Sequence, residues 1–149
     1  MAPPATPQGR RLLLDTNAVV GALLWSGPPL RLMEQAVEDG IELISSPALL
    51  AELEHTLGYP KFVKRLALLN TDVATLMSRY ESIVTLVDPT DVPRVVPNDP
   101  DDDHVIAAAL AGQAELIVSG DRHLLSLTNH QAIAIVTVRE ALERITPVE

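Results

Sequence analysis

Short apolar runs recur along this chain, and each is followed at once by a stretch of helical periodicity. Residues 11–14, 41–45, 83–87, 115–118 and 132–136 are too short for helices and read as buried strands. Between them, apolar residues return every three or four positions. Helices are expected over 18–25, 30–39, 48–57, 61–69, 71–82, the run after Asp99, 123–127 and 138–145. In the second of these, Leu32, Met33, Ala36 and Val37 should face inward, with Gly40 as the stop signal. In the third, Leu49, Leu50, Leu53 and Leu57 form the inward stripe behind a Ser46-Pro47 cap. Strands alternating with helices imply a mainly parallel sheet covered on both faces, a three-layer α/β/α sandwich. In such sheets, functional side chains collect beyond the carboxyl ends of the strands.

The 149 residues suffice for one such domain, expected over 10–149. Residues 1–9 hold three prolines and no periodicity, and read as a disordered leader. The stretch 88–97 carries three more prolines and reads as a loop within the domain. Aromatic residues are only 3% of the chain, so the core must be built from Leu, Val, Ile and Ala. No apolar run approaches the ~18–20 residues of a membrane span, and no signal peptide is visible. The absence of cysteine excludes disulfides, thiol nucleophiles and zinc–thiolate clusters, and suits a reducing cytoplasm. The four histidines lack the close pairing of a zinc protease helix. A net charge of −9 argues against broad phosphate binding by basic side chains. It leaves open an enzyme that meets phosphates through metal ions and local basic patches.

Acidic residues are concentrated where the topology would bring them together. Four aspartates fall within five residues at Asp99-Pro100-Asp101-Asp102-Asp103, just ahead of the apolar run Val105 to Ala111. Asp99 before Pro100 reads as an N-cap with proline at the first helical position, and Asp102 could complete a weak capping box. Capping explains two of these acids but not four. On a helical wheel Val105, Ile106, Ala109 and Leu110 mark the buried face. Asp102 projects near its middle, Asp103 to its edge and Asp101 away from it. An inward carboxylate is costly unless paired, hydrogen-bonded or bound to a cation. Asp15 and Asp121 each follow a strand, and Glu52 lies on the helix after the second strand. Each of the three has an ordinary explanation alone: a helix cap for Asp15 and Asp121, a solvated helix face for Glu52 and its neighbour Glu54.

Together the segments resemble a known family. Leu12-Leu13-Leu14-Asp15-Thr16-Asn17 is similar to the opening motif of PIN-domain nucleases, an apolar strand ending in Asp-Thr-Asn. The segment from Ser46 to Leu53, with Leu57, Pro60 and Lys61 beyond it, resembles the second motif, whose acid is the Glu of Glu-Leu. The Asp-rich helix start resembles the third. Ile117-Val118-Ser119-Gly120-Asp121-Arg122-His123-Leu124-Leu125 is similar to the fourth, usually Thr-Gly-Asp, with Ser119 in place of Thr. The resemblance runs from Leu12 to Ile145 with the motifs in family order, and within the family it looks like the VapC-type toxins of toxin–antitoxin pairs.

This resemblance implies a divalent-metal-dependent ribonuclease. Hard oxygen ligands suit Mg²⁺ or Mn²⁺. Asp15, Asp121 and one of Asp102 and Asp103 would bind the ion, with Glu52 as ligand or water-orienting base. Registering the third motif on Ile106-Ala107-Ala108 selects Asp103, whereas registering it on Asp-Pro-Asp-Asp selects Asp102. Thr16, Asn17 and Ser119 would hold the carboxylates from behind or reach the phosphate. Lys61, Lys64, Arg65 and Arg122 would supply local positive charge for RNA, although an ordinary solvated helix face also explains the Lys61 group. The resemblance further implies an antitoxin partner and a homodimer, with exposed leucines on the second or fourth helix as its surface. The rival readings are an interaction module whose cleft an antitoxin segment fills, and an RNA-processing nuclease outside toxin–antitoxin systems. A dehalogenase-type phosphatase is disfavoured because position 17 is Asn, and a receiver domain because no lysine follows Lys64.

Overall fold

The computed structural model describes residues 10–89, 92 and 100–146, with the side chains of Pro100 and Asp101 excepted. The leader expected over 1–9, the proposed cap Asp99 and most of the loop 88–97 lie outside the described residues.

Among the described residues, six strands form one sheet: β1 (Arg11–Leu14), β2 (Glu42–Ser45), β3 (Val84–Leu86), β4 (Leu116–Val118), β5 (Asn129–His130) and β6 (Ile133–Val136). Their order is β3-β2-β1-β4-β6-β5, parallel throughout except for the antiparallel β5–β6 pair. The helices are α1 (Thr16–Leu24), α2 (Pro28–Glu38), α3 (Pro47–Leu57), α4 (Val63–Leu68), α5 (Val73–Glu81), α6 (Pro100–Ala111), α7 (Arg122–Leu125) and α8 (Val138–Ile145), with one 3₁₀ turn at Pro60–Phe62.

The period of two along β1 divides the core. Leu12 and Leu14 face one layer with Leu43, Leu116, Val118 and the inward residues of α1, α2, α5 and α8. Leu13 faces the other with Ile44, Ile117, Ile135 and the inward residues of α6. The alternation of strands and helices therefore builds the expected α/β/α sandwich. Helix α3 touches both layers, Leu49 in one and Leu53 and Leu57 in the other, so it spans the end of the sheet. On the opposite layer, Ala107, Ala108 and Ala109 are all buried and let α6 lie close to the strands. Where that helix ends, a Cβ on Gly112 would stand only 2.7 Å from Cγ2 of Ile44.

Several boundaries differ from expectation for local reasons. Helix α1 starts at Thr16 rather than 18 because Asp15 itself caps it, accepting from the Ala18 N–H. The helix expected over 61–69 is a 3₁₀ turn followed by the short α4. Val37 is 49% exposed, while Leu32, Met33 and Ala36 are buried as the wheel requires. Asp103, placed at the edge of the α6 face, is in fact buried at 1% exposure. The edge strand β5 has only two residues and carries no apolar run from which to read it.

Candidate active site

Sheet order reverses between β1 and β4: the chain builds outward through β2 and β3 on one side and through β6 on the other. At such a switch point the loops beyond the two strands diverge and leave a crevice. Here the first loop begins with Asp15 and the second runs Ser119-Gly120-Asp121. The backbone joins them, since the Asp15 N–H donates to the Val118 carbonyl at 3.0 Å.

Asp15 is 6% exposed and fully engaged. One carboxylate oxygen accepts from the Ala18 N–H at 2.9 Å, and the other accepts from the buried Ser119 hydroxyl. The same Ser119 oxygen accepts from the Asp121 N–H at 2.9 Å, so one hydroxyl ties both acids together. Burial pushes the Asp15 carboxyl above its ordinary pKa, and the nearby Asp121 charge pushes in the same direction. The hydrogen bonds from Ser119, Ala18 and Gly120 pull it partly back. Asp121 caps α7 by accepting from the His123 N–H at 2.7 Å.

Glu52 enters from α3, half-buried while its neighbour Glu54 is exposed. The Thr16 hydroxyl donates to it at 2.8 Å, joining the first turn of α1 to the middle of α3. Asp102 enters from the first turns of α6, 7% exposed.

Asp15, Thr16, Asn17, Glu52, Asp102 and Asp121 all line one cleft of about 260 Å³, closed at its sides by Thr56, Tyr59 and Val105. Four of its nine lining residues are acidic and none is basic. A larger groove of about 580 Å³, with Arg31, Glu34, Gln35 and Glu38 on its wall, mixes charges of both signs and offers no such convergence.

The other expected residues sit elsewhere. Asp103 is buried beside the cleft and is not part of its lining. Lys61, Lys64 and Arg122 are exposed outside it. The Arg65 guanidinium is turned away, donating to the Leu24 carbonyl at 2.6 Å and lying over the Trp25 ring. Arg10 and Arg11, at the amino end of β1, pair with Glu115 and Glu42.

A cation suits this donor set. Asp102, Asp121 and His123 each place a ligand atom within 4.8 Å of the others, with Asp15 behind them. The mutual repulsion of Asp15 and Asp121 is the strain that a bound cation would relieve. His123 was not among the candidates from sequence. Its only signal there is its place inside the fourth motif, two residues after Asp121.

The sequence profile of the PIN domain matches residues 11–123. No individually curated protein matches in sequence. Two solved structures share the fold at low identity. A chain of VapBC2 from Rickettsia felis, solved bound to a DNA fragment from its promoter, is 14% identical with a TM-score of 0.56. That match covers 84% of this chain and 96% of the other. PAE2754 from Pyrobaculum aerophilum is 18% identical with a TM-score of 0.58, covering 95% of this chain and 98% of the other. The profile match spans most of the chain and takes in all four acidic segments, and the chain belongs to the PIN-domain family.

Proposed function

We propose that this protein is a divalent-metal-dependent endoribonuclease that hydrolyses phosphodiester bonds, the VapC-type toxin of a toxin–antitoxin pair. The observation that carries this reading is the convergence of Asp15, Glu52, Asp102 and Asp121 on one small cleft at the switch point. Four carboxylates and no lysine or arginine would repel a phosphodiester, so the cleft suits phosphate only through an intervening cation. Asp15, Asp102 and Asp121 would hold that ion, Mg²⁺ or Mn²⁺. When bound, such an ion supplies the Lewis acidity that activates water and screens the phosphate charge.

The chain's own groups do the positioning. Ser119 fixes the second oxygen of Asp15, and the α1 backbone fixes the first, so that carboxylate cannot rotate. Glu52, steadied by Thr16 on the α3 wall, would serve as a further ligand or as the base that orients the attacking water. Asp102 would be the α6 ligand rather than Asp103, a choice supported by its place in the cleft lining, which Asp103 does not share. Lys61 and Lys64, exposed beyond the end of α3, would hold flanking phosphates of the RNA.

The assembly of VapBC2 from Rickettsia felis supports a cognate antitoxin for this chain. A cleft whose charged lining residues are all acids would also accept a basic side chain from such a partner. Exposed Val63, Leu68 and Leu69 on and just after α4 support that helix over α2 as the homodimer surface. Among the described residues, no helix is long and apolar enough to cross a membrane.

The test is cleavage of a panel of structured and unstructured RNAs with Mg²⁺ or Mn²⁺, alongside a chelator control and Asp15→Asn. Cleavage that needs the ion and vanishes in the variant is the expected result. Intact RNA throughout, or cleavage equal in the variant, overturns the reading.

A further inference from the structure

His123 stands on the first turn of α7, with its Nδ1 3.7 Å from Oδ1 of Asp121. Its side chain is 66% exposed, so its torsions are not locked by packing. An imidazole nitrogen, an Asp121 oxygen and an oxygen of the buried Asp102 all lie within 4.8 Å of one another. Ligands on one ion with bonds of ~2.0–2.2 Å stand roughly 3–4.4 Å apart, depending on geometry. The three donor atoms lie close to that spacing. Asp102 is held by burial in α6, whereas Asp121 and above all His123 are the more exposed members of the three.

We infer that His123 is a direct nitrogen ligand of the cation in the acidic cleft and biases that site toward Mn²⁺ over Mg²⁺. This rests on the metal-dependent reading of the cleft and adds to it a donor that is not an acid. The chemistry follows from ligand preference. Mg²⁺ takes oxygen almost exclusively and gives up its water reluctantly, whereas first-row transition ions accept imidazole readily. A site of carboxylates alone would discriminate weakly between the two ions. Replacing one oxygen donor with the His123 ring makes the discrimination a property of this chain.

The test compares wild-type protein with His123→Ala, His123→Gln and Asp121→Asn at one pH. Calorimetric titration gives the Mn²⁺ and Mg²⁺ affinities, and pulsed electron paramagnetic resonance of bound Mn²⁺ detects imidazole nitrogen through its ¹⁴N coupling. His55, His104 and His130 remain in every variant, so a signal lost on changing His123 belongs to that ring. Melting curves of the apo proteins establish that the exposed substitution leaves the fold intact.

The expected result is an imidazole signal in the wild type that disappears in both His123 variants. Mn²⁺ affinity should fall by about tenfold in His123→Ala while Mg²⁺ affinity changes less than about twofold, and Asp121→Asn should lose both ions. Unchanged Mn²⁺ affinity in His123→Ala, or an imidazole signal that persists there, overturns the inference and leaves the nuclease reading standing. A wild-type protein that takes up neither ion overturns the inference and the metal-dependent reading together.

Discussion

Asp15 and Asp121 occupy the same local position: each follows a central strand and caps the helix that comes next. Their surroundings differ sharply. Asp15 caps the nine-residue α1 and is 6% exposed, with hydrogen bonds at both oxygens. Asp121 caps a helix of only four residues, and its side chain is 29% exposed. One carboxylate is a buried anchor whose charge opposes the fold, while the other still reaches water. The difference teaches that a single cleft can combine a rigid donor, whose geometry is set in advance, with donors that adjust as a ligand arrives. Fixed donors avoid reorganisation on binding, and adjustable ones allow entry and release.

Catalysis should show the largest effect. Asp15→Asn keeps the oxygen that caps α1 but removes the charge, so RNA cleavage should fall by about 10²–10³-fold or more, on the scale of losing a preorganised electrostatic group. Asp121→Asn should lose comparable activity. Stability separates the two. In a chelator, Asp15→Asn should unfold at higher denaturant at neutral pH than the wild type, because it removes a buried charge. Asp121→Asn should not. Equal stabilisation in the two variants, read from urea curves, would break the distinction between anchor and open ligand.

The pH profile sharpens the same contrast. A carboxyl whose native pKa is raised binds its proton more tightly folded than unfolded, so its contribution is complete below the ordinary value of 3.8. That contribution is lost as pH rises through the native value. Metal-free wild type should therefore lose stability across that window relative to Asp15→Asn. Asp72 and Glu140 have native pKa values lowered by backbone hydrogen bonds from Thr75 and Thr137, respectively. They contribute in the opposite sense, gaining as pH rises through their lowered native values and complete above their unfolded ones, but they are present in both proteins and cancel in the difference. Adding Mn²⁺ at neutral pH should raise the wild-type melting temperature and leave Asp15→Asn unmoved.

Ser119 is the link between the two acids, and its replacement should have an intermediate effect. Ser119→Ala strips Asp15 of one hydrogen bond and leaves the Asp121 N–H without its acceptor. Loss of a buried bond to a charged group costs about 1.5–3 kcal/mol. Cleavage should fall by about 10–100-fold, as for groups that orient metal ligands. A Ser119→Thr variant, which keeps the hydroxyl, should recover most of that activity. Failure of threonine to rescue would mean that the volume of the side chain matters here and the shared hydroxyl does not.

How much of this was legible in the sequence depends on the length scale of the interaction. Strand and helix order follow from local periodicity, and β1, α3 and α8 can be read almost residue by residue. Asp15 and Asp121 were legible because a strand end is a local event and the sheet rule says where strand ends meet. Glu52 could not be told from Glu54 on a wheel, since both sit at the edge of the same stripe. The Thr16 hydroxyl, thirty-six positions earlier, marks the difference. Asp103 was placed at a helix edge because the wheel assumes one apolar direction, yet Ala107, Ala108 and Ala109 are all buried and α6 is enclosed more widely than that. His123 gave no periodic signal, because its role depends on Asp102 arriving from another helix.

The basic residues near α4 show where composition misleads, and they carry the smallest expected effect. Lys61, Lys64 and Arg65 read as one phosphate-binding group, but the structure divides them. The Lys61 ammonium lies 5.2 Å from the Phe62 ring centroid, and Lys64 is exposed. Arg65 instead packs against Trp25 and donates to the Leu24 carbonyl at the end of α1. Each phosphate contact made by a protein adds about 0.7 to the slope of log affinity against log salt for a single strand. Lys61→Ala with Lys64→Ala should lower that slope by about 1.4 and leave the melting temperature unchanged. Arg65→Ala should do the reverse, costing about 1–2 kcal/mol of stability through the lost hydrogen bond and ring contact, with little change in salt slope. Salt-dependent RNA binding to Asp15→Asn carrying these changes would separate the two without interference from cleavage. If Arg65→Ala flattened the slope as much as the lysine pair, the guanidinium would have to leave Trp25 when RNA binds.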